Sequence, residues 1–264
     1  MIIIAENFNS SIPETKQAMA DKNAAWLIEK AANIADSGAN YIDINAGTFL
    51  EHEAETLLYV AELIQPTGLP LAIDSPDHKV IEYILRKLHP KQALLNSITL
   101  ENTRFNKLVP LAQEYDTKLI ALLMDGSSMP ESVEQRLEIA DRMINSLEEK
   151  NIDQDRIFLD PMIKPLATDD QAGREAYETI RLIRQKYPDV HITCGLSNIS
   201  FGLPARKYLN RAFLIQSMAM GLDSAILNPL DEELMKLLHA GESLSGRDEF
   251  CCDYLAHFRP KQHD

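Results

Sequence analysis

KLIALLM (Lys118–Met124), PESVEQRLEIADRMINSLEEK (Pro130–Lys150) and RIFLD (Arg156–Asp160) follow one another along the chain. The outer two are short, apolar and bounded by polar turns, as buried strands are. In the middle run Val133, Leu137, Ala140, Ile144 and Leu147 step by three and four, which places them on one face of a helix. Pro130 is positioned to start that helix and Asn151 to end it.

The same alternation extends in both directions. Strand-like runs lie at Ile2–Ala5, Tyr41–Asn45, Pro70–Asp74, Gln92–Asn96, Lys118–Met124, Arg156–Asp160, His191–Gly195 and Ser224–Asn228. Their starts are 39, 29, 22, 26, 38, 35 and 33 residues apart, so each interval has room for a helix and two short loops. In the first interval Leu27, Ala31, Ile34 and Ala35 form another apolar face, and Gly38 supplies a stop. Eight strand–helix repeats predict an α/β fold, a (β/α)8 TIM barrel, as a single domain over 1–264. A doubly wound sheet is the alternative, but no G-x-G-x-x-G follows its first strand.

Composition narrows the function classes. The net charge is −14 and no cluster of Lys and Arg offers a phosphate-backbone footprint, so nucleic acid is not an expected partner. No apolar run approaches the length of about 18 residues that a membrane span needs. The three cysteines, Cys194, Cys251 and Cys252, form no C-x-x-C pair. They fit a reduced, cytoplasmic protein, with Cys194 as an apolar strand residue and the adjacent pair as structural.

In such barrels chemistry sits where strands meet the loops that follow them. Those positions here are polar: Glu6, Asn7 and Asn9, then Asp43 and Asn45, Asp74, Asn96, Asp160, Ser197 and Asn198, and Asn228. Each alone has an ordinary reading as a helix cap or turn residue. Asp43, if its strand face points inward, reads equally well as a buried structural acceptor. Together they make a rim rich in carboxylates and amides and poor in cations, with Lys164, Arg206 and Lys207 the nearest basic residues. That suits a flat heterocycle with an amino-pyrimidinone edge. A carboxylate accepts from its adjacent N–H groups and an asparagine supplies one donor and one acceptor, tasks that fit Asp160 and Asn96. No ligand spacing enforces a metal, so none is expected.

GLSNISFG (Gly195–Gly202), with ADSGANYIDINAG (Ala35–Gly47), LAIDS (Leu71–Ser75), LLNS (Leu94–Ser97) and DPMI (Asp160–Ile163), resembles the pterin-binding methyltransferases. The likeness is to methyltetrahydrofolate:corrinoid methyltransferases serving corrinoid iron–sulfur proteins, and to the folate module of cobalamin-dependent methionine synthase. It runs almost end to end. The resemblance implies methyl transfer between a tetrahydrofolate nitrogen and the cobalt of a corrinoid held by a partner protein. It implies pterin contacts from Asp74, Asn96 and Asp160, an asparagine, Asn198, that turns toward the methyl-bearing nitrogen, and further ligand positions at Gly195, Ser197 and Arg206. It makes Asn198 and Asp74 the catalytic candidates and suggests a homodimer. Two positions depart from the pattern: Asn7 stands where the family often has Arg, and Phe201 where the iron–sulfur-protein branch often has Gln. Both bear on which corrinoid protein is served.

Three rival readings compete. A dihydropteroate synthase shares the pterin barrel but typically carries a Ser-Arg-Lys element near strand seven and an Arg-His pair at strand eight; neither is present here. A non-catalytic pterin-binding subunit would keep the rim without turnover. An aldolase or lyase would want a Schiff-base lysine inside a strand, and Lys118 stands only at a strand start.

Overall fold

The computed structural model describes residues 1–126 and 128–259. The chain begins β1 (Ile2–Asn9), α1 (Pro13–Ala20), α2 (Ala24–Asp36), β2 (Tyr41–Asn45), α3 (Glu53–Ile64) and β3 (Leu71–Asp74). It continues α4 (His78–Leu88), β4 (Leu94–Ile98), α5 (Asn102–Glu114), β5 (Lys118–Leu122), α6 (Val133–Glu148) and β6 (Ile157–Asp160). Last come α7 (Ala172–Lys186), β7 (His191–Ile192), α8 (Arg206–Met220), β8 (Ser224–Leu227), α9 (Glu232–Leu244) and α10 (Cys252–Phe258). The strands form one parallel sheet in the order β7-β6-β5-β4-β3-β2-β1-β8, a single-domain (β/α)8 barrel.

Side chains alternate across each strand, and the two faces do different work. Ile4, Tyr41, Ala72, Leu94, Ile120 and Phe158, one from each of β1 to β6, meet inside the barrel. The opposite face, with Ile42, Ile73, Leu95, Leu119 and Leu159, packs on the helices in the main core.

The helices follow their local chemistry. In α6 the buried Ala140, Ile144 and Leu147 belong to the stripe read from the sequence. Its start differs from the expectation: Ser132, not Pro130, caps it, because the Ser132 side chain accepts from the backbone N–H of Gln135. It ends at Glu148, three residues before Asn151, which takes a left-handed φ of 56°.

Two strands differ most. β1 runs on to Asn9 beyond the apolar Ile2–Ala5. β7 keeps only His191 and Ile192 of the His191–Gly195 run, and the barrel closes beside it by other means. Gly195 bridges Ile226, whose N–H donates to the Cys194 carbonyl at 2.9 Å. Buried Ser224 Oγ donates to Thr193 Oγ1 at 3.2 Å. Asp223 accepts from Ile192 N–H at 2.7 Å and pairs with Arg184 at 2.8 Å and His191 Nδ1 at 2.7 Å.

Cys194 is fully buried, as read from the sequence. Cys251 and Cys252 are not structural core residues: both are exposed, Cys251 as the N-cap of α10 and Cys252 as its first residue. Residues 260–264 of the expected 1–264 domain lie outside those described. Among the described residues no helix is long and apolar enough to cross a membrane.

Candidate functional site

The inward face changes character near the C-terminal strand ends. Two residues beyond five of the six apolar inward positions comes a polar one: Ile4 to Glu6, Tyr41 to Asp43, Ala72 to Asp74, Leu94 to Asn96, Phe158 to Asp160; on β5 Ile120 is followed by the apolar Leu122. Period-two alternation thus stacks a polar layer directly on the apolar one. Above it opens a cavity of about 710 Å³. Glu6, Asp43, Asp74 and Asn96 form its inner wall, and the Gly195–Phe201 loop with the first residues of α8 its other side.

The layer is cross-linked. Asn96 Nδ2 donates to Asp43 Oδ1 at 3.0 Å, across the intervening β3. Asn45 Nδ2 donates to Asp74 Oδ2 at 3.0 Å, while Asn45 Oδ1 accepts from Gly47 N–H at 2.9 Å. Each asparagine thereby fixes a carboxylate and is itself oriented. Arg104, on α5, donates to the carbonyls of Ser97 at 2.6 Å, Pro76 at 2.6 Å and Ser75 at 2.8 Å, clamping the ends of β3 and β4.

Burial sets the protonation. It pushes the Asp74 carboxyl up to about 6, against the hydrogen bond from Asn45 and the charge of Arg104. Asp43 is raised well above the usual carboxylate range, by burial first and then by the neighbouring charges of Asp74 and Glu6. Glu6 is raised by burial, partly offset by Arg206 and Ser197.

The residues expected from the sequence fall into two groups. Asp74, Asn96, Gly195, Ser197, Asn198 and Arg206 all line the cavity. Asp160 stands apart: it is buried, at 7% exposure, and does not line it. Its Oδ1 accepts from Met162 N–H at 2.8 Å and the carboxylate also takes the Gly195 N–H; burial lifts it to about 6. It therefore holds the start of the glycine loop from beneath.

The loop is tightly organised. A Cβ on Gly195 would lie 3.1 Å from Asn198 Nδ2, so only glycine lets the carboxamide fold back there without crowding. Arg206 Nε donates to Ser200 Oγ at 3.0 Å and its second nitrogen to the Ser197 carbonyl at 2.7 Å. Phe201, 65% exposed, lies beneath that guanidinium with 5.9 Å from its centroid to Cζ.

Sequence reasoning left out Glu6 and Asp43 as site residues, although both line the cavity. The signal was present: Glu6 lies two residues past Ile4, and Asp43 two past Tyr41. Asn7, where the family often has Arg, instead donates to Asn228 Oδ1 at 2.8 Å and ties β1 to the end of β8. Lys164 pairs with Asp169 and Glu175 and does not line the cavity. Among the described residues no group of three or more His, Cys, Asp or Glu is arranged to hold a metal ion.

Residues 10–228 match the family described as pterin binding enzyme. The chain is 38% identical over 262 residues to a methylcorrinoid:tetrahydrofolate methyltransferase of Eubacterium limosum, covering 98% of this chain and 96% of that one. It is 29% identical over 242 residues to methionine synthase of Mycobacterium tuberculosis, where the match takes in 86% of this chain and 20% of the synthase. Among solved structures, dihydropteroate synthase from Xanthomonas albilineans with 7,8-dihydropteroate superposes with a TM-score of 0.66 at 16% identity, covering 92% of this chain and 94% of that one. The Thermus thermophilus dihydropteroate synthase gives 0.65 at 18% identity, covering 90% and 92%. At those identities the likeness is one of fold alone. A family match over most of the barrel and a relative aligned nearly end to end leave one conclusion: this chain belongs to the pterin-binding enzyme family.

Proposed function

We propose that the protein is a methyltransferase moving a methyl group between the methyl-bearing nitrogen of (methyl)tetrahydrofolate and the cobalt of a corrinoid carried by a partner protein. The observation that carries this reading is the polar layer at the strand ends, with Asp43, Asp74 and Asn96 facing the Gly195–Asn198 loop across one cavity. Its chemistry matches the amino-pyrimidinone edge of a pterin, which presents adjacent N–H groups and a carbonyl. The near full-length methyltransferase relative supports the same conclusion.

In this reading Asp74 and Asn96 bind the pterin ring directly, with Gly195 and Ser197 shaping the loop around it. Arg206 holds that loop in place, and Asp160 anchors it through the Met162 and Gly195 N–H groups while its carboxylate keeps acceptor capacity for the ring. Attack by cobalt(I) puts its electron pair into the Co–C bond. The N–CH3 bond breaks with its pair left on nitrogen, which takes up a proton that comes from solvent. Hydrogen bonding to that nitrogen eases departure most when charge develops, and Asn198 is the donor placed at the reacting end. One preorganised hydrogen-bond donor of this kind contributes about 10²–10³-fold. Asp74, with its carboxyl near 6, extends the proton network. No covalent protein nucleophile is required, in keeping with the buried Cys194, whose thiol burial pushes well up.

The corrinoid arrives as substrate on its protein. Exposed Leu50, Phe201, Tyr208 and Leu230 all stand on segments that follow strand C-termini, and they offer an apolar collar for that protein around the polar cavity. The barrel over 1–264 works as one pterin-binding unit, a homodimer in the cytoplasm; three cysteines without disulfides fit a reducing compartment. Anaerobic mixing with cob(I)alamin and methyltetrahydrofolate, or with methylcobalamin and tetrahydrofolate, tests the reading through the cobalt absorbance. Turnover in either direction is expected. Folate binding without turnover, even with a corrinoid protein supplied, would instead mark a non-catalytic pterin-binding subunit.

A further inference from the structure

The cavity is graded in charge. Its inner wall carries Glu6, Asp43 and Asp74, whereas among the described residues the only cations lining it are Arg206 and Lys207, consecutive in the first turn of α8. Arg206 is committed to the loop through Ser200 and Ser197. Lys207 is exposed and, among the described residues, makes no ion pair within 4.0 Å. The acid nearest in charge, Asp231, is already held by Arg211 at 2.6 Å and accepts from Leu234 N–H as the cap of α9. A lysine stands in the cavity lining, its counter-acid taken, and the exposed ring of Phe201 lines the same cavity.

A folate is graded in the opposite sense. The pterin end is a neutral hydrogen-bonding heterocycle, the middle is an aminobenzoyl ring, and the far end is a chain of γ-linked glutamates, one further carboxylate per added residue. With the pterin on the carboxylate-and-amide wall, the remaining lining offers one aromatic face and one pair of cations. The β1–α1 side offers only Asn9, Ser11, Ile12 and Pro13, and the β8–α9 side offers Asp231.

We propose that Lys207 is the recognition site for the anionic glutamyl tail of the folate, with Phe201 against the aminobenzoyl ring, and that it gives the enzyme a preference for substrates with more than one glutamate. This rests on the pterin reading of the cavity. On a chain of net charge −14 an added tail carboxylate is otherwise repelled, so one unpaired cation at the mouth sets the sign of the preference. An exposed pair is screened and contributes modestly, so the preference is about two- to fivefold at low salt and fades toward about 0.5 M NaCl.

The test is calorimetric. Dissociation constants are measured for tetrahydrofolate with one and with three glutamates, and for a tail-less tetrahydropterin, on the wild-type protein, Lys207→Gln and Lys207→Glu. The expected result is tighter binding of the triglutamate by wild type, loss of that advantage in Lys207→Gln, and its reversal in Lys207→Glu, with the tail-less pterin bound equally by all three. Equal affinity of the mono- and triglutamate forms for wild type overturns the tail site but leaves the pterin site standing. So does an advantage that survives in Lys207→Glu. Failure of all three ligands to bind the wild-type protein overturns the pterin reading itself, and the tail site with it.

Discussion

Asp43 sits among three groups that bear on its charge: Asp74, Glu6 and the Asn96 carboxamide that donates to it. Two neighbouring carboxylates make ionisation costly, and burial adds to the cost. The sign follows from linkage. The folded pKa values of Asp43 and Asp74 lie above the unfolded value of 3.8, so the folded state binds protons more tightly. Stability from Asp74 is present at low pH and is lost as pH rises through about 6, and that from Asp43 is lost in the same direction, as pH rises. Asp43→Asn keeps an oxygen for Asn96 and removes one charge. It is expected to raise the melting temperature of the ligand-free protein at pH 8 by at least about 2 °C, with the gain shrinking toward pH 5. Melts at the two pH values check this; an equal shift at both would show that charge is not the cause. At this scale the sequence displays the polar strand ends because inward positions recur every second residue. It does not show that Asp160 spends its carboxylate on the Met162 and Gly195 N–H groups, because those bonds depend on how the chain turns after β6.

Among the elements, β7 carries the main departure from expectation. The run His191–Gly195 reads as a full strand, but only two of its residues pair with β6. Closure onto β8 then depends on the Gly195–Ile226 bridge and on Asp223 at the strands' N-terminal ends. Asp223 is held below the usual carboxylate range by the hydrogen bonds from His191 and Ile192 and the charge of Arg184, which together outweigh its burial. Asp223→Ala removes the acceptor for Ile192 N–H and leaves Arg184 without its carboxylate. It is expected to cost about 1–3 kcal/mol in urea unfolding while leaving folate affinity unchanged, since the residue lies at the opposite end of the strand from the cavity. A loss under about 0.5 kcal/mol would mean that the bridge closes the barrel unaided. The boundary of α6 shows how a cap can be missed. Pro130 is the louder sequence signal, yet the Ser132–Gln135 pairing sets the helix start.

For the whole molecule, strand count and order were legible because eight apolar runs at similar spacing leave few other arrangements. What surrounds the cavity mouth was not legible, since exposed apolar residues scattered through loops have no period. Leu50, 78% exposed, and Leu230, 39% exposed, lie on loops of different repeats that the barrel gathers at one end. Leu50→Asp combined with Leu230→Asp is expected to slow methyl transfer with a corrinoid protein at least about tenfold while sparing transfer with free cobalamin, because truncated apolar anchors weaken docking and not chemistry. Equal loss with both acceptors would place the defect inside the cavity.

The decisive measurement is the anaerobic single-turnover rate of methyl transfer from saturating methyltetrahydrofolate to cob(I)alamin, taken on wild type and Asn198→Ala beside their folate dissociation constants. If Asn198 assists the departing nitrogen, the rate falls by about 10²-fold or more while the dissociation constant moves only a few-fold. An unchanged rate, or a fall explained wholly by weaker folate binding, would contradict the role given to Asn198 and to the loop that carries it.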